Sequence, residues 1–146
     1  MALYFPAPPT RKWARCSASA AAFACLLGAF SAAAHADDSD YSASYRSCMD
    51  KASGVTASMI DCIGVELQRQ DQRLNAAYRQ FQQTLKPARR QQLQAVQREW
   101  LQYRQANCRF QGDPDGGTAA RVAGNACVLA MTATRARELE QMMPVR

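Results

Sequence analysis

The stretch IDCIGVELQRQDQRLNAAYRQFQQTLKP, residues 60–87, predicts a long amphipathic helix that ends at a proline. Its apolar residues recur with a period of about 3.5, which is the spacing of one helix face; they are Ile60, Ile63, Leu67, Leu74, Phe81 and Leu85, with Tyr78 beside them. Gln70 interrupts this stripe. Because the residue before a proline avoids helical angles, the helix should end at Lys86-Pro87. Thr56, just after a Ser-Gly-Val break, is the expected N-cap.

A second helix should follow from about residue 88 to residue 107, with a matching stripe of Leu93, Val96, Trp100 and Tyr103. Two helices joined at one proline form an antiparallel hairpin. Residues 111–117 carry loop signals, and a last helix is expected over about 126–143, with Val128, Met131, Leu139 and Met142 on one side. A short helix is expected over 41–51. The sequence therefore predicts an all-α fold, a long antiparallel hairpin with a packed C-terminal helix and a short N-terminal helix.

The first 36 residues are typical of an export signal. Three basic residues, Arg11, Lys12 and Arg15, precede an apolar stretch over about 16–34, which closes on the small-x-small site Ala34-His35-Ala36. Cleavage after Ala36 would leave residues 37–146 as a single periplasmic or secreted domain. Cys25 lacks the leucine-led box of a lipid anchor, so we expect no stable membrane anchor after cleavage.

Four cysteines remain after that cleavage: Cys48, Cys62, Cys108 and Cys127. An even number in a short exported chain predicts two disulfides. Cys62 lies 25 residues before Pro87 and Cys108 lies 21 residues after it, so a hairpin places both at the same end. The pairing Cys48–Cys62 with Cys108–Cys127 is slightly preferred, because Cys62 and Cys108 lie beside the shared apolar stripe; the nested pairing remains open.

The predicted mature domain contains few side chains suited to catalysis. The only histidine, His35, leaves with the signal, so no Ser-His or Cys-His pair is available. Glu66 and Glu99 are the one carboxylate pair to consider for glycoside cleavage, and both are expected to be exposed on helices. Removing three of the eighteen basic residues leaves fifteen against twelve acidic ones, a net charge of +3. This mild charge does not require nucleic acid as a partner, and we predict neither an enzyme nor a cofactor.

The loop Asp113-Pro114-Asp115-Gly116-Gly117 does not fit a calcium site. A calcium loop needs a glutamate at its twelfth position, and counting from Asp113 that position is Gly124. No metal site is predicted.

A set of spaced residues resembles the LprI-type lysozyme inhibitor N-terminal domain family. The set covers about residues 48–139 and consists of Cys62, Asp71-x-x-Leu74-Asn75-x-x-Tyr78, Gln97-x-x-Trp100-Leu101-x-Tyr103-Arg104-x-x-x-Cys108, Gly116-Gly117-Thr118, Cys127, Thr132, Arg135 and Leu139. The resemblance implies a small exported helical domain, and the family takes its name from an inhibitor of lysozyme. Two departures are the missing acidic residue that would complete a capping box after Thr56 and the missing lipid-anchor cysteine.

Most of the motif residues are expected to be structural. Leu74, Tyr78, Trp100 and Tyr103 lie on or beside the apolar stripes and should be core. Arg104 is expected to pair with Asp71 or to cap carbonyl groups near Cys108. Asn75 should hydrogen-bond the backbone or Arg104, because an unpaired buried amide costs roughly 1–3 kcal/mol. Arg135 should pair with Asp71 or Glu99, or else lie with a solvated stem over the core.

The loop after the second long helix is the predicted partner-binding site, because loops held on rigid scaffolds commonly carry binding. Phe110 would be its apolar anchor, Asp113 and Asp115 its acidic contacts, and Gly116-Gly117 its flexible part. We predict a binding protein, by resemblance an inhibitor of lysozyme-type muramidases. The alternative is a non-catalytic structural or envelope-interaction protein that binds another exported protein or a cell-wall component, for which the basic run 86–90 would suit an acidic polymer. The sequence leaves the oligomeric state open.

Overall fold

The structure, a computed structural model, describes residues 40–144. Within them the chain forms four α-helices and one 3-10 turn: α1 (Ala43–Ala52), α2 (Thr56–Thr84), α3 (Pro87–Gln111), the turn Pro114–Gly116, and α4 (Gly117–Gln141). No β-strand occurs among these residues, and the predicted all-α fold class is confirmed. The predicted signal peptide, residues 1–36, lies outside the described residues.

The connection between α1 and α2 is tight. Ser42 caps α1 by accepting a hydrogen bond from the Tyr45 amide at 3.0 Å, and the helix ends at Ser53, which adopts a left-handed φ of 46°. Thr56 is the first helical residue of α2 and Val55 is the N-cap, without a side-chain hydrogen bond. The prediction that Thr56 caps the helix was wrong by one residue.

The loop between α3 and α4 is shorter than the sequence predicts. α3 continues to Gln111, four residues past Asn107, and α4 begins at Gly117 instead of near residue 126. The reason is that Gly116 and Gly117, which look like loop residues, form the junction itself. Gly117 has a φ of 67°, which glycine adopts without a steric penalty. The alanine-rich stretch after it then forms helix readily.

α4 is the central helix. It packs along α2 and also against α3, whereas α2 and α3 make few backbone contacts with each other. Its most buried positions recur at spacings of one, three or four and form one face of the helix: Leu129, Thr132, Ala133, Ala136 and Leu139. Ala133 and Ala136 are fully buried and small, so the neighbouring backbones can approach. Of the predicted stripe only Leu139 is fully buried, and Met142 is 48% exposed, because the buried face is centred on Ala133 and Ala136 and the predicted stripe lies along its edge.

The hydrophobic core gathers where α2, α3 and α4 meet. Its buried members are Leu74, Ala77, Leu93, Ala136 and Leu139, and the half-buried side chains packed on them are Tyr78, Phe81, Leu85 and Trp100. Leu93, Gln97 and Trp100 lie on the inner face of α3, and Val96 lies at the edge of that face. Val96 is 49% exposed, and its predicted place in the core was wrong.

Two disulfides staple the helices. Cys48–Cys62 joins α1 to α2 with 5.8 Å between the Cα atoms, and Cys108–Cys127 joins α3 to α4 with 5.4 Å. The preferred pairing is confirmed and the nested one is not formed. Both disulfides lie at the end of the molecule opposite the Pro87 turn. Within residues 40–144 no helix has both the length and the apolar character needed to cross a bilayer.

Candidate functional site

The predicted binding loop lies at the end of the molecule that carries the disulfides. Phe110 belongs to the last turn of α3, and 85% of it is exposed. Asp113 does not project freely: its carboxylate accepts a hydrogen bond from the Asp115 amide at 3.0 Å, and its carbonyl accepts one from the Gly116 amide at 3.0 Å. Asp113, Asp115, Gly116 and Gly117 are all exposed. The tip therefore presents one aromatic ring beside a small acidic turn.

A close helix contact fixes this tip. Gly112 donates from its backbone amide to the Cys108 carbonyl at 2.9 Å, and Gly124 of α4 lies directly against it. A Cβ atom added at Gly124 would be 2.8 Å from the Gly112 Cα atom, closer than real Cβ contacts come. Together with the nearby Cys108–Cys127 disulfide, this contact holds the end of α3 on α4. No structural role was predicted for Gly124, since its partner lies on another helix.

Trp100 lies among the side chains that join α3 to α4. The guanidinium carbon of Arg104 is 5.1 Å from the Trp100 ring centroid, and that of Arg135 is 5.8 Å away, both within cation–π range. Arg104 also donates to the Thr132 hydroxyl at 2.6 Å. The ring is half-buried, so Trp100 has a structural position, although it is less enclosed than predicted.

Of the partners predicted for Arg104 and Arg135, only that of Arg104 is confirmed. Arg104 lies 3.6 Å from the Asp71 carboxylate, as predicted. Arg135 is 8% exposed, and it donates to the Gln97 amide oxygen at 3.1 Å and to Glu138 at 2.9 Å. The predicted partners of Arg135, Asp71 and Glu99, were wrong, because a residue one turn along its own helix reaches it first.

Two motif residues predicted to be core are exposed instead. Tyr103 is 61% exposed, since Trp100 and Arg104 occupy the inner face of α3. Asn75 is exposed as well, and its side-chain amide makes no hydrogen bond to other residues in the range 40–144, because it lies on the side of α2 that faces α3 across open space. Leu74, one residue before it, is buried as predicted.

A buried carboxylate on α2 was missed by the sequence analysis. Glu66 is 1% exposed and accepts hydrogen bonds from the Ser42 amide at 3.1 Å, the Ser42 hydroxyl at 2.6 Å and the Gln70 amide at 2.9 Å. Burial alone would raise the pKa of Glu66, but these hydrogen bonds and the charge of Arg69 outweigh it and lower the pKa. The expectation that Glu66 is exposed was wrong. The available signal was its position, with Gln70, on the buried face between Ile63 and Leu74.

A second polar group joins the start of the described chain to the bundle. Asp40 accepts hydrogen bonds from Arg73 of α2 at 3.1 Å and from Arg137 of α4. Arg73 also donates two hydrogen bonds to Glu140, at 2.8 and 2.6 Å. The hydrogen bonds to Glu140 raise the pKa of the Arg73 guanidinium, so it remains charged. This group links Asp40 to both α2 and α4.

An open groove of about 580 Å³ runs between α2 and α3. Its walls carry side-chain amides, one aromatic ring and one charge of each sign; the lining residues are Asp71, Leu74, Asn75, Tyr78, Gln82, Gln94, Gln97, Arg98 and Leu101. Six of these nine are positions of the spaced motif quoted above. The groove is thus where much of that motif comes together. It was not predicted, because a hairpin of two directly packed helices leaves no such groove.

No group of three or more cysteine, histidine or acidic side chains within residues 40–144 is placed to hold a metal ion. The family model described as lysozyme inhibitor LprI matches residues 48–139, which is more than half of the chain. No match was found among the curated proteins or among the solved structures.

Proposed function

We propose that this chain, which belongs to the lysozyme inhibitor LprI family, is an exported protein that binds and inhibits a lysozyme-type muramidase through the tip formed by Phe110, Asp113 and Asp115. The family supplies the class of partner. The residues of the tip supply the proposed contact.

The exposure of Phe110 is the observation that carries this proposal. With 85% of the residue exposed, its ring contributes nothing to the core, and burying such a ring against a partner is worth about 1.5–3 kcal/mol. The Cys108–Cys127 disulfide lies two residues away along the chain. A tip that is already ordered loses less entropy on binding, which favours a contact at this end over one at the Pro87 turn.

Charge acts only locally in this proposal. The domain left after cleavage has fifteen basic and twelve acidic residues, so long-range attraction to a basic lysozyme is not expected. Asp113 and Asp115, three and five residues after Phe110 in the same exposed tip, would instead supply the acidic contacts. Short-range contacts of this kind depend weakly on ionic strength.

Export is supported by the disulfides. Two disulfides indicate an oxidising compartment. We assign residues 1–36 to a signal peptide cleaved after Ala36, residues 37–146 to the single domain, and the site of action to the periplasm or the exterior.

Inhibition without catalysis is the proposed mode of action. Glu66 of the one carboxylate pair considered for glycoside cleavage is enclosed by Ser42 and Gln70, and its lowered pKa is the opposite of what a general acid needs. Binding that blocks the substrate cleft of the partner needs no reactive group.

A lysis assay tests the proposal. The exported, oxidised protein is titrated into bacterial cell-wall suspensions containing a c-, g- or i-type lysozyme. Dose-dependent inhibition of at least one type supports the proposal. A folded protein that inhibits none of the three would overturn it.

A further inference from the structure

The groove between α2 and α3 exists because both helices pack on α4 and make few backbone contacts with each other. Leu74 and Gln97 are buried at 4% and 8% exposure and form its inner part. Asn75 on α2 and Gln94 on α3 line its two sides. Its volume of about 580 Å³ lies within the roughly 300–1,000 Å³ typical of small-molecule sites.

Its polar groups are free to bind. The side-chain amides of Asn75, Gln82 and Gln94 make no hydrogen bond with other residues in the range 40–144, and each offers two N–H donors and one carbonyl acceptor. The Gln97 amide is held in place because its oxygen accepts a hydrogen bond from Arg135 at 3.1 Å. The groove therefore presents several donors and acceptors side by side, at least one of them fixed.

The charges and the backbone narrow the class of ligand. Asp71 and Arg98 are the only charged lining residues, and Asp71 is also paired with Arg104. The groove therefore has no cluster of like charges that would favour a polyanion or a cation. Recognition of an extended peptide by strand addition would need a free strand edge, and none exists within residues 40–144. An amphipathic helix would need a continuous apolar groove, but Leu74 and Leu101 are the only aliphatic lining residues.

We infer that the groove between α2 and α3 is a binding site for a neutral oligosaccharide that carries acetamido groups. Sugar hydroxyls donate and accept at once, as side-chain amides do, and an acetamido group can form a paired hydrogen bond with the amide of Asn75 or Gln94. The Tyr78 ring and Leu101 provide surface for the C–H faces of the sugar rings. This inference does not rest on the proposed inhibition of lysozyme, since Phe110 does not line the groove.

Isothermal titration of the exported, oxidised protein with tri-N-acetylchitotriose tests the inference. We expect saturable binding with one site per chain. The double variant Asn75→Ala/Gln94→Ala should weaken binding about tenfold or more, since two hydrogen bonds are lost. The matched control Gln80→Ala/Gln83→Ala removes two amides from the opposite side of α2, where they line a separate pocket, and should leave binding unchanged.

Circular dichroism of the variants separates binding from folding, because Asn75 and Gln94 make no described hydrogen bonds that hold the fold. The Phe110→Ala variant should bind the saccharide like the wild type, which keeps this site distinct from the tip. Absence of saturable binding, equal loss in the groove and control variants, or binding only of an unglycosylated cell-wall peptide would each overturn the inference.

Discussion

The guanidinium of Arg73 on α2 donates two hydrogen bonds, of 2.8 and 2.6 Å, to the carboxylate of Glu140 on α4. The two residues are 67 positions apart in sequence, and the same guanidinium also donates to Asp40 at 3.1 Å. This paired contact sets the register of the two helices that pack most extensively. It also links the segment before α1 to the bundle.

Replacing Arg73 with alanine should lower the free energy of unfolding by about 1–2 kcal/mol. Charge-assisted hydrogen bonds are worth more than neutral ones, but partial exposure of both side chains reduces their contribution. Urea unfolding measures the change. The control Arg79→Ala removes an exposed arginine of the same helix and should change stability by less than about 0.5 kcal/mol. Equal effects of the two variants would show that the Arg73–Glu140 contact does not stabilise the fold.

Glu66 should make the protein lose stability in acid. Its pKa in the folded state lies below the ordinary value of 4.5, so the unfolded state binds more protons in this range and stability rises with pH. The contribution is fully present above pH 4.5 and is lost as the pH falls through the folded-state pKa. Melting temperatures of the wild type and Glu66→Gln should therefore converge as the pH is lowered from 7 toward 3. An unchanged difference at pH 3 would contradict this role, and Glu99→Gln serves as the exposed control.

Trp100 and Tyr103 of α3 should differ clearly in how much they contribute to the stability of the fold. Trp100→Ala should cost about 3 kcal/mol, the lower end for truncation of a large aromatic, because the ring is half-buried. Tyr103→Ala, three residues further, should cost less than about 0.5 kcal/mol, since 61% of Tyr103 is exposed. Chemical unfolding of both variants checks this. A Trp100 variant as stable as the Tyr103 variant would instead make the Trp100 ring a surface group.

Two helical glycines should respond to alanine with opposite signs. Gly124→Ala should destabilise by about 1–3 kcal/mol, because the new Cβ would be 2.8 Å from the Gly112 Cα atom. Gly64→Ala should stabilise by about 0.5–1 kcal/mol, the helix-propensity difference, since nothing lies within 4 Å of its Cβ position. Thermal unfolding distinguishes them. Stabilisation by both substitutions would mean that the α3–α4 contact is looser than described.

The sequence predicted what local signals determine. Pro87 ends one helix and begins the next, and the four cysteines pair in sequence order, as their positions beside the apolar stripe favoured. What it did not predict depends on contacts between distant residues. Gly124 has a role only against Gly112 of another helix, and no local pattern shows that contact. The early start of α4 was missed because Gly116 and Gly117 look like loop residues.

The candidate site was predictable in part for the same reason. Phe110 could be placed near an exposed turn from glycine and proline signals alone. The groove could not, because it depends on α4 keeping α2 and α3 apart. The sequence predicted an exposed Glu66, and only the position of Ser42 shows how a carboxylate is accommodated on the buried side of α2.

The central claim, that Phe110 anchors the inhibited enzyme, is tested most directly by the inhibition constant of the Phe110→Ala variant in the lysis assay. Arg89→Ala at the Pro87 end is the matched control; Arg90 is unsuitable because it donates to the carbonyls of Gln82 and Leu85. Loss of an anchor worth about 2 kcal/mol should raise the inhibition constant roughly thirtyfold, with melting and helicity unchanged, and Arg89→Ala should inhibit like the wild type. An unchanged inhibition constant for Phe110→Ala, or a loss of inhibition confined to Arg89→Ala, would contradict the claim.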